Sequence, residues 1–161
     1  MKALAAFVAA ALVTGCGFHL RGSSTVPFET LYIPNAKSGV ALEMKRNIEA
    51  GTNAKVVDDP KVADAILELT GEAREKVILS LTGTGRVREF RLRYKVGFRV
   101  HDGKGNEYVP QSTLELTRDV SFNDADVLAK ETEEQLLYRD MQGDMVQQIM
   151  RRLAAAQKPK A

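Results

Sequence analysis

The sequence predicts an α+β fold: a two-layer sandwich in which two helices pack on one face of a mixed sheet of four to five strands. Three observations predict it. Residues 65–120 contain three long segments with alternating apolar and polar residues, separated by glycine-containing turns. Residues 28–57 have the pattern of a strand, a helix and a second strand. A last segment, ending near Leu153, repeats apolar residues every three or four positions, as an amphipathic helix does.

The composition fits one domain and excludes several classes of protein. With 161 residues, 44% of them hydrophobic, the chain is long enough for one core and too apolar for a disordered chain. Its 12 glycines and 5 prolines follow no collagen-like period. The formal net charge of +2 is too small for the positive potential that a histone-like DNA-binding protein spreads over its surface. Any basic function must therefore be local.

The first fifteen residues predict a signal peptide. Lys2 precedes a continuous apolar run from Ala3 to Val13. This run is shorter than the roughly 20 residues that a helix needs to cross a bilayer. Small residues stand directly before Cys16, which is the only cysteine, and this arrangement resembles the bacterial lipobox. Cys16 is therefore the predicted lipidation site, against the alternatives of a spare cysteine or a buried free thiol.

Acylation of Cys16 predicts a domain that is anchored to a membrane and does not span it. Two or three acyl chains, at about 0.8 kcal/mol per buried methylene, bind far more firmly than one myristoyl chain. We expect residues 16–27 to form a lipidated tether, residues 28–155 to form a single α+β domain, and residues 156–161 to form a disordered tail.

The first part of the domain predicts a strand, a helix and a second strand. Thr30–Ile33 is the first strand, a helix follows over Gly39–Ala50, and Ala54–Val57 is the second strand. Because such a crossover between neighbouring strands is right-handed, we expect the two strands to be parallel.

The three long segments predict an antiparallel meander. In residues 65–82 the odd-numbered positions from Leu67 to Leu81 are expected to share the inner face. In the next segment the even-numbered positions from Phe90 to Val100 are apolar, whereas the odd-numbered ones are charged except for Gly97. The third segment, Glu107–Val120, should place Leu114 and Leu116 on the inner face.

The last segment predicts a long helix. Asn123 is the expected N-cap, with Asp126 at the third helical position and Phe122 packed on Val127. An apolar stripe should cover the sheet; it comprises Tyr138, Met141, Met145, Ile149 and Leu153. Gly143 interrupts this helix at a cost of about 1 kcal/mol relative to alanine, which is tolerable if another backbone passes close by. With both helices on one face, the other face of the sheet is left bare and is a candidate binding surface.

Positive charge is concentrated on the middle long segment. Six cations stand there against the single acid Glu89: Arg86, Arg88, Arg91, Arg93, Lys95 and Arg99. Alternate residues on one face of a strand lie about 6.5–7 Å apart, so Arg91, Arg93 and Lys95 could bind a polyanion or several phosphates. The alternative is that these cations pair with acids on neighbouring strands, which would only stabilise an exposed sheet. The candidate acids are Glu115 and Asp119 on one side, and Glu68 and Glu72 on the other.

Lys130 is a further candidate for ligand contact. It stands alone among acids at the start of the long helix, and the alternative is an ion pair with Glu133 or Glu134.

Nothing in the sequence predicts an enzyme, a metal or another cofactor. His19 and His101 lack a cysteine partner, a nucleophile-elbow serine and metal-ligand spacing. Residues 83–86 lack the Gly-Lys-Ser/Thr of a phosphate-binding loop and are predicted to be a turn. Nucleic acid is an unsuitable partner for an exported, lipid-anchored protein.

Three stretches together resemble the LptE family of lipopolysaccharide-assembly lipoproteins. They are the Cys-Gly-Phe-His-Leu-Arg-Gly segment from Cys16 to Gly22, the arginine-rich central strand, and the Leu-Ala-Lys-Glu segment from Leu128 to Glu131. The resemblance covers essentially the whole chain in order and spacing.

The resemblance implies a non-enzymatic lipoprotein at the periplasmic face of the outer membrane. Such a protein plugs the large β-barrel LptD, assists its assembly, and binds lipopolysaccharide for insertion into the outer leaflet. Gly17, where some lipoproteins have Asp, resembles those passed to the outer membrane. Lys130 matches a family position associated with lipopolysaccharide contact, while the companion position falls at Gly83 or Thr84, with Arg86 as the nearest cation.

The predicted lipopolysaccharide-binding residues are therefore Arg86, Arg88, Arg91, Arg93, Lys95 and Lys130. The alternative function is that of a lipoprotein accessory subunit of an envelope lipid transporter or scaffold, which binds anionic phospholipid or another protein through the same face.

Overall fold

A computed structural model describes residues 24–122 and 127–157. These residues form β1 (Thr30–Tyr32), α1 (Gly39–Gly51), β2 (Lys55–Val57), β3 (Ala65–Leu81), β4 (Val87–His101), β5 (Glu107–Ser121) and α2 (Val127–Ala155), with a 3-10 turn at Pro60–Val62. The predicted signal peptide, Cys16, most of the tether and the last four residues lie outside the described residues. The same holds for Asn123 and Asp126 of the predicted helix start.

The strands form one mixed sheet in the order β2-β1-β3-β4-β5. β1 is parallel to β2, with Thr30 opposite Lys55, and it is also parallel to β3, with Leu31 opposite Ala65. β4 is antiparallel to both of its neighbours. The parallel pair and the antiparallel meander are both confirmed, and so is the α+β fold.

The core lies between the sheet and the two helices. The even-numbered side chains of β4 from Leu92 to Val100 are buried, as their alternation predicts. From α1, Val40, Met44 and Ile48 pack against them. The predicted stripe of α2, from Tyr138 to Leu153, is buried at all five positions. Full burial of one large apolar side chain contributes about 1.5–3 kcal/mol, so these residues account for much of the driving force for folding.

The expected inner face of β3 is correct for Leu67 and Leu69 and wrong beyond them. The pairing with β4 shifts register between Leu69 and Gly71, so Thr70 is an extra residue in a β-bulge. Since side chains alternate with a period of two, this extra residue moves the side chains that follow it to the other face, as far as a second register shift between Ile78 and Ser80. Glu72 and Arg74 consequently lie opposite the core residues Val96 and Tyr94.

Gly97 allows the bulge to form. It pairs with Gly71 on β3, and a Cβ at position 97 would lie 2.6 Å from Thr70 Oγ1. That hydroxyl oxygen also accepts a 2.6 Å hydrogen bond from Gln111 Nε2 on β5. From Glu89 to Arg99, Gly97 is the one odd-numbered position of β4 that has no charged side chain. It is also the position that faces the bulge.

The close approach that would have explained Gly143 is not found. A Cβ at this position would meet nothing within 4 Å, leaving aside the neighbouring turns of α2. No backbone of the described chain therefore passes close enough to require glycine there.

The far half of β3 has only one strand neighbour among the described residues. β1 pairs with Ala65 and Ile66 and then ends, whereas β3 continues to Leu81. Four large apolar side chains are exposed near its end: Val77, Ile78, Leu79 and Leu81. Neither α1 nor the described part of α2 combines the length and apolar character that a bilayer-spanning helix needs.

Candidate functional site

The open face of the sheet, opposite the helices, carries a row of cations on its central long strand. We call Arg91, Arg93, Lys95 and Arg99 the open-face ladder. They occupy alternate positions of β4, apart from Gly97, and β3 and β5 flank them on either side. Their side chains are 32–41% exposed, so the ladder is accessible to water and to a ligand.

Arg91 forms a two-point contact with Asp119 on β5. Its Nε donates to Asp119 Oδ1 at 2.7 Å, and its Nη2 donates to Oδ2 at 2.8 Å. The guanidinium holds the pKa of the Asp119 carboxyl below its usual value, while the carboxylate raises the pKa of Arg91. This parallel geometry is the one with which arginine also binds phosphate.

Arg93 and Lys95 share the same two acids. Arg93 Nη1 donates to Glu75 Oε2 at 3.2 Å, and Arg93 Nε lies 3.0 Å from Glu115 Oε1. Lys95 Nζ lies 3.4 Å from Glu75 Oε1 and 3.8 Å from Glu115 Oε2. Hydrogen bonding to Lys95, followed by that to Arg93, lowers the pKa of Glu75. Two cations and two acids thus form one neutral cluster across three strands.

Arg99 closes the ladder at the other end of β4. Its Nε donates to Glu68 Oε2 at 2.6 Å, and His101 Nε2 lies 3.5 Å from the same oxygen. The Arg99 hydrogen bond is the main reason that the pKa of Glu68 is lowered.

The ion-pair alternative is therefore realised on this face for three of the four expected acids, namely Glu68, Glu115 and Asp119. Glu72 is the exception, because the bulge places it on the helix-facing side, where it accepts a 2.6 Å hydrogen bond from Tyr94 Oη. Desolvation, followed by this bond, raises the pKa of Tyr94. Glu75 lies beside the ladder where Glu72 was expected. The sequence shows no sign of the bulge, so it gave no reason to choose Glu75.

The other predicted residues lie away from the ladder. Arg86 belongs to the β3–β4 turn, where its N–H donates to Thr82 Oγ1 at 3.1 Å, and Arg88 is exposed at the start of β4. Lys130 projects from α2 and donates to Glu133 Oε2 at 2.7 Å, which is the predicted intrahelical pair. The six residues are thus divided between the open face and the end of the sheet near the β3–β4 turn.

A second lysine accompanies Lys130 at that end of the sheet. Lys76 and Lys130 both border an apolar crevice lined by Phe90, Leu92, Val120 and Phe122. Lys76 Nζ lies 2.5 Å from Glu134 Oε2 and 4.3 Å from the centre of the Phe90 ring. The sequence analysis did not select Lys76. It expected the odd-numbered side chains of β3 to face the helices, which would turn Lys76 to the open face.

The chemistry available to this site is the binding of anions. Within residues 24–122 and 127–157, no three His, Cys, Asp or Glu side chains are grouped so as to hold a metal ion. Partly exposed ion pairs contribute little to stability and are screened by salt, so a phosphate can exchange with a carboxylate at small cost.

Comparisons with known proteins agree with the fold. The family model LptE, described as "Lipopolysaccharide-assembly", matches residues 25–153. The LPS-assembly lipoprotein LptE of Photorhabdus laumondii is 28% identical over 94% of this chain and 86% of that protein. The protein of the same name from Yersinia enterocolitica is 31% identical over 89% of this chain and 71% of its own. Among solved structures, an uncharacterised lipoprotein B from Nitrosomonas europaea matches with a TM-score of 0.74 and 45% identity, covering 86% of this chain and 91% of that one.

Proposed function

Because this chain belongs to the LptE family of lipopolysaccharide-assembly lipoproteins, we propose that it binds lipopolysaccharide and plugs an outer-membrane β-barrel of the LptD type, whose assembly it assists. Acylation at Cys16 would hold it at the periplasmic face of the outer membrane. The family is named for assembly and not for a reaction, which agrees with the absence of a catalytic motif in the sequence.

The open-face ladder is the observation that carries this proposal. Lipopolysaccharide presents clustered phosphates, and a row of guanidinium groups on alternate positions of a strand matches several of them at once. The acids on the same face do not oppose binding strongly, since each ladder cation is partly exposed and can exchange its partner. Arg86, Arg88 and Lys130 would extend the contact to the adjacent end of the sheet.

The alternating charges of the open face also suit a barrel interior. The lumen of an outer-membrane barrel is polar, unlike its lipid-facing surface. A face on which Arg93 and Lys95 alternate with Glu75 and Glu115 can exchange hydrogen bonds with such a wall without burying an unpaired charge.

Substitution of the ladder tests lipopolysaccharide binding. Arg91→Gln and Arg93→Gln should each lower the affinity of the mature lipoprotein for purified lipopolysaccharide by about tenfold, because each loses a charge-assisted contact. Lys130→Gln should act in the same direction. Arg118→Gln is the matched control, since Arg118 forms a similarly exposed ion pair with Asp144 and lies on the helix-facing side of the sheet. Affinity that is unchanged in all three variants would assign the ladder to structural charge.

Capture from membranes tests the barrel partner. The mature lipoprotein, extracted from outer membranes with detergent, should retain a large β-barrel protein on affinity purification. If no barrel is retained, the plug function is rejected. If phospholipid competes as well as lipopolysaccharide for the open face, the protein is instead an accessory subunit for lipid transport or scaffolding.

A further inference from the structure

Exposed apolar side chains gather at the end of the sheet where β3 turns into β4. Four large apolar residues stand there within the five positions 77–81, and each is 40–55% exposed. We call these four residues the hairpin patch: Val77, Ile78, Leu79 and Leu81. Single exposed apolar residues are normal on a protein surface, whereas a contiguous group of them marks a place where another molecule binds.

The hairpin patch continues into the crevice beside Lys76 and Lys130. Ile78 lies opposite Phe90 on β4, and the Phe90 ring meets the Phe122 ring edge to face at 5.3 Å. Both rings line the crevice together with the two lysines. An apolar surface therefore runs from the crevice along the end of β3, and two ammonium groups stand at its inner end.

The partners of these two ammonium groups can exchange for a phosphate. Lys76 pairs with Glu134 while 37% of its side chain is exposed, and Lys130 pairs with Glu133 one turn along α2. Such partly exposed ion pairs contribute little to stability. Cations at one end of an exposed apolar surface are complementary to an amphiphile whose phosphate lies next to an acyl chain.

The length of the hairpin patch suits one acyl chain. A strand rises about 3.3 Å per residue, so Lys76 and Leu81 are about 15–17 Å apart along β3. The hydrocarbon core of a bilayer is about 30 Å thick and contains two layers of chains, so one acyl chain extends about 15 Å. An acyl chain whose phosphate lies at Lys76 can thus reach the end of the hairpin.

We propose that the hairpin patch binds an acyl chain of lipopolysaccharide while Lys76 and Lys130 bind the phosphate next to it. The acyl chain lies along Ile78 and Leu81, and the phosphate replaces Glu134 beside Lys76. This inference rests on the proposed lipopolysaccharide binding and deepens it. It assigns a lipid part of the ligand to the hairpin and leaves other anionic groups of the ligand to the open-face ladder.

The position of the hairpin patch favours lipopolysaccharide over other apolar partners. The lumen of an outer-membrane barrel is polar, so a barrel wall offers little to an exposed apolar surface. The described chain begins near the β4–β5 turn, where Val26 and Asp102 line one groove. The 15 residues of β4 place the hairpin patch about 45 Å from that end. An anchor at Cys16 would therefore hold the opposite end of the domain at its bilayer.

Removal of the acyl chains from the ligand tests the hairpin patch. The mature lipoprotein should bind lipopolysaccharide at least about tenfold more tightly than fully deacylated lipopolysaccharide, which keeps its phosphates. Ile78→Ser and Leu81→Ser together should remove most of this preference without lowering the affinity for the deacylated molecule. Val62→Ser is the matched control, because Val62 is 62% exposed on the turn before β3. An unchanged preference in the double variant, or an equal loss in Val62→Ser, would overturn the proposal.

A single-chain amphiphile locates the site on the protein. Dodecyl phosphate, below the concentration at which it forms micelles, should shift the amide resonances of Ile78 and Leu81, whereas inorganic phosphate should leave that of Leu81 in place. Lys76→Gln and Lys130→Gln should each weaken the binding of dodecyl phosphate several-fold. Lys104→Gln, in the β4–β5 turn at the other end of β4, is the control and should bind it normally.

The two probes separate this inference from the proposed function. If lipopolysaccharide binds but dodecyl phosphate shifts neither Ile78 nor Leu81, the acyl-chain site is rejected and the proposed function stands. If dodecyl phosphate binds at the hairpin patch but lipopolysaccharide does not bind, the proposed function is rejected, and lipopolysaccharide is rejected as the occupant of the patch.

Discussion

Arg91 and Asp119 stand directly opposite each other on β4 and β5, and two hydrogen bonds of 2.7 and 2.8 Å join their side chains. Arg91, whose two-point geometry also suits a phosphate, is thus already paired with a carboxylate of the same chain. A phosphate that binds Arg91 has to replace Asp119 or share the guanidinium with it. Because the two anions compete, a substitution of Asp119 tests whether Arg91 contacts the phosphate.

Removal of the competing carboxylate should strengthen binding. Asp119→Asn leaves Arg91 with a neutral neighbour, so we expect a several-fold rise in affinity for lipopolysaccharide, measured by calorimetry with the mature lipoprotein. Asp144→Asn is the control, because it frees Arg118 in the same way on the helix-facing side of the sheet. An affinity that Asp119→Asn leaves unchanged would argue against Arg91 as a contact.

The same ion pair should contribute to acid sensitivity. The folded-state pKa of Asp119 is lowered by Arg91, so the stabilisation is present above the ordinary pKa of 3.8 and is lost as the pH falls through the lower folded value. The melting temperature should therefore fall more steeply in the unsubstituted protein than in Asp119→Asn between about pH 5 and about pH 2. Melting temperatures that fall equally with pH in the two proteins would contradict this assignment.

The bulge in β3 should depend on the absence of a side chain at position 97. Gly97→Ala places a Cβ against Thr70 Oγ1, and we expect a loss of about 1–3 kcal/mol in the free energy of unfolding, measured in urea. Thr70→Ala removes the obstructing hydroxyl, so the double variant should recover part of that loss. Additive effects of the two substitutions would show that the close approach is not the cause.

Gly143→Ala should stabilise the protein. The new methyl group meets open space, and alanine favours a helix interior over glycine by about 0.5–1 kcal/mol. Thermal unfolding at neutral pH should therefore shift to higher temperature. A lower melting temperature would mean that Gly143 has a role that the packing of α2 does not reveal.

Two leucines of α2 should differ sharply in their importance. Leu153 is fully buried, and Leu153→Ala should cost about 2–5 kcal/mol of unfolding free energy, because it removes core contacts and leaves a cavity. Leu136, on the same helix, is 50% exposed, and Leu136→Ala should cost well under half as much. Chemical denaturation of the two variants checks the contrast, which similar losses would refute.

The sequence predicted the parts of the fold that follow simple periodicity. The alternation of β4 and the stripe of α2 both identified buried residues correctly, because each element has one core-facing side and one solvent-facing side. The ladder cations were also placed on the correct face. The acids beside them were named correctly wherever the register was regular, as Asp119 was, although the individual pairs were not predicted.

The errors arise where one residue changes the register or where spatial neighbours come from distant segments. Thr70 has no feature that announces a bulge, yet it reverses the phase of β3 and replaces Glu72 by Glu75 beside the ladder. Lys76 was missed for the same reason. A close approach would have explained Gly143, but its surroundings depend on how α2 lies over the sheet, and the sequence of one helix does not contain that information.

The long overhang of β3 past the end of β1 bears on how this protein behaves in concentrated solution. From Leu67 onward, one side of β3 offers backbone amides and carbonyls that no other strand of the described chain takes up, and such edges recruit strands from other molecules. Arg74, Lys76 and the bulge at Thr70 interrupt this edge, as charges and irregularities do in natural sheets that avoid polymerising. The stretch from Val77 to Leu79 is apolar, exposed and without a charge, and a second register shift follows between Ile78 and Ser80. Intermolecular β-pairing should therefore begin at this short stretch when the protein is overexpressed.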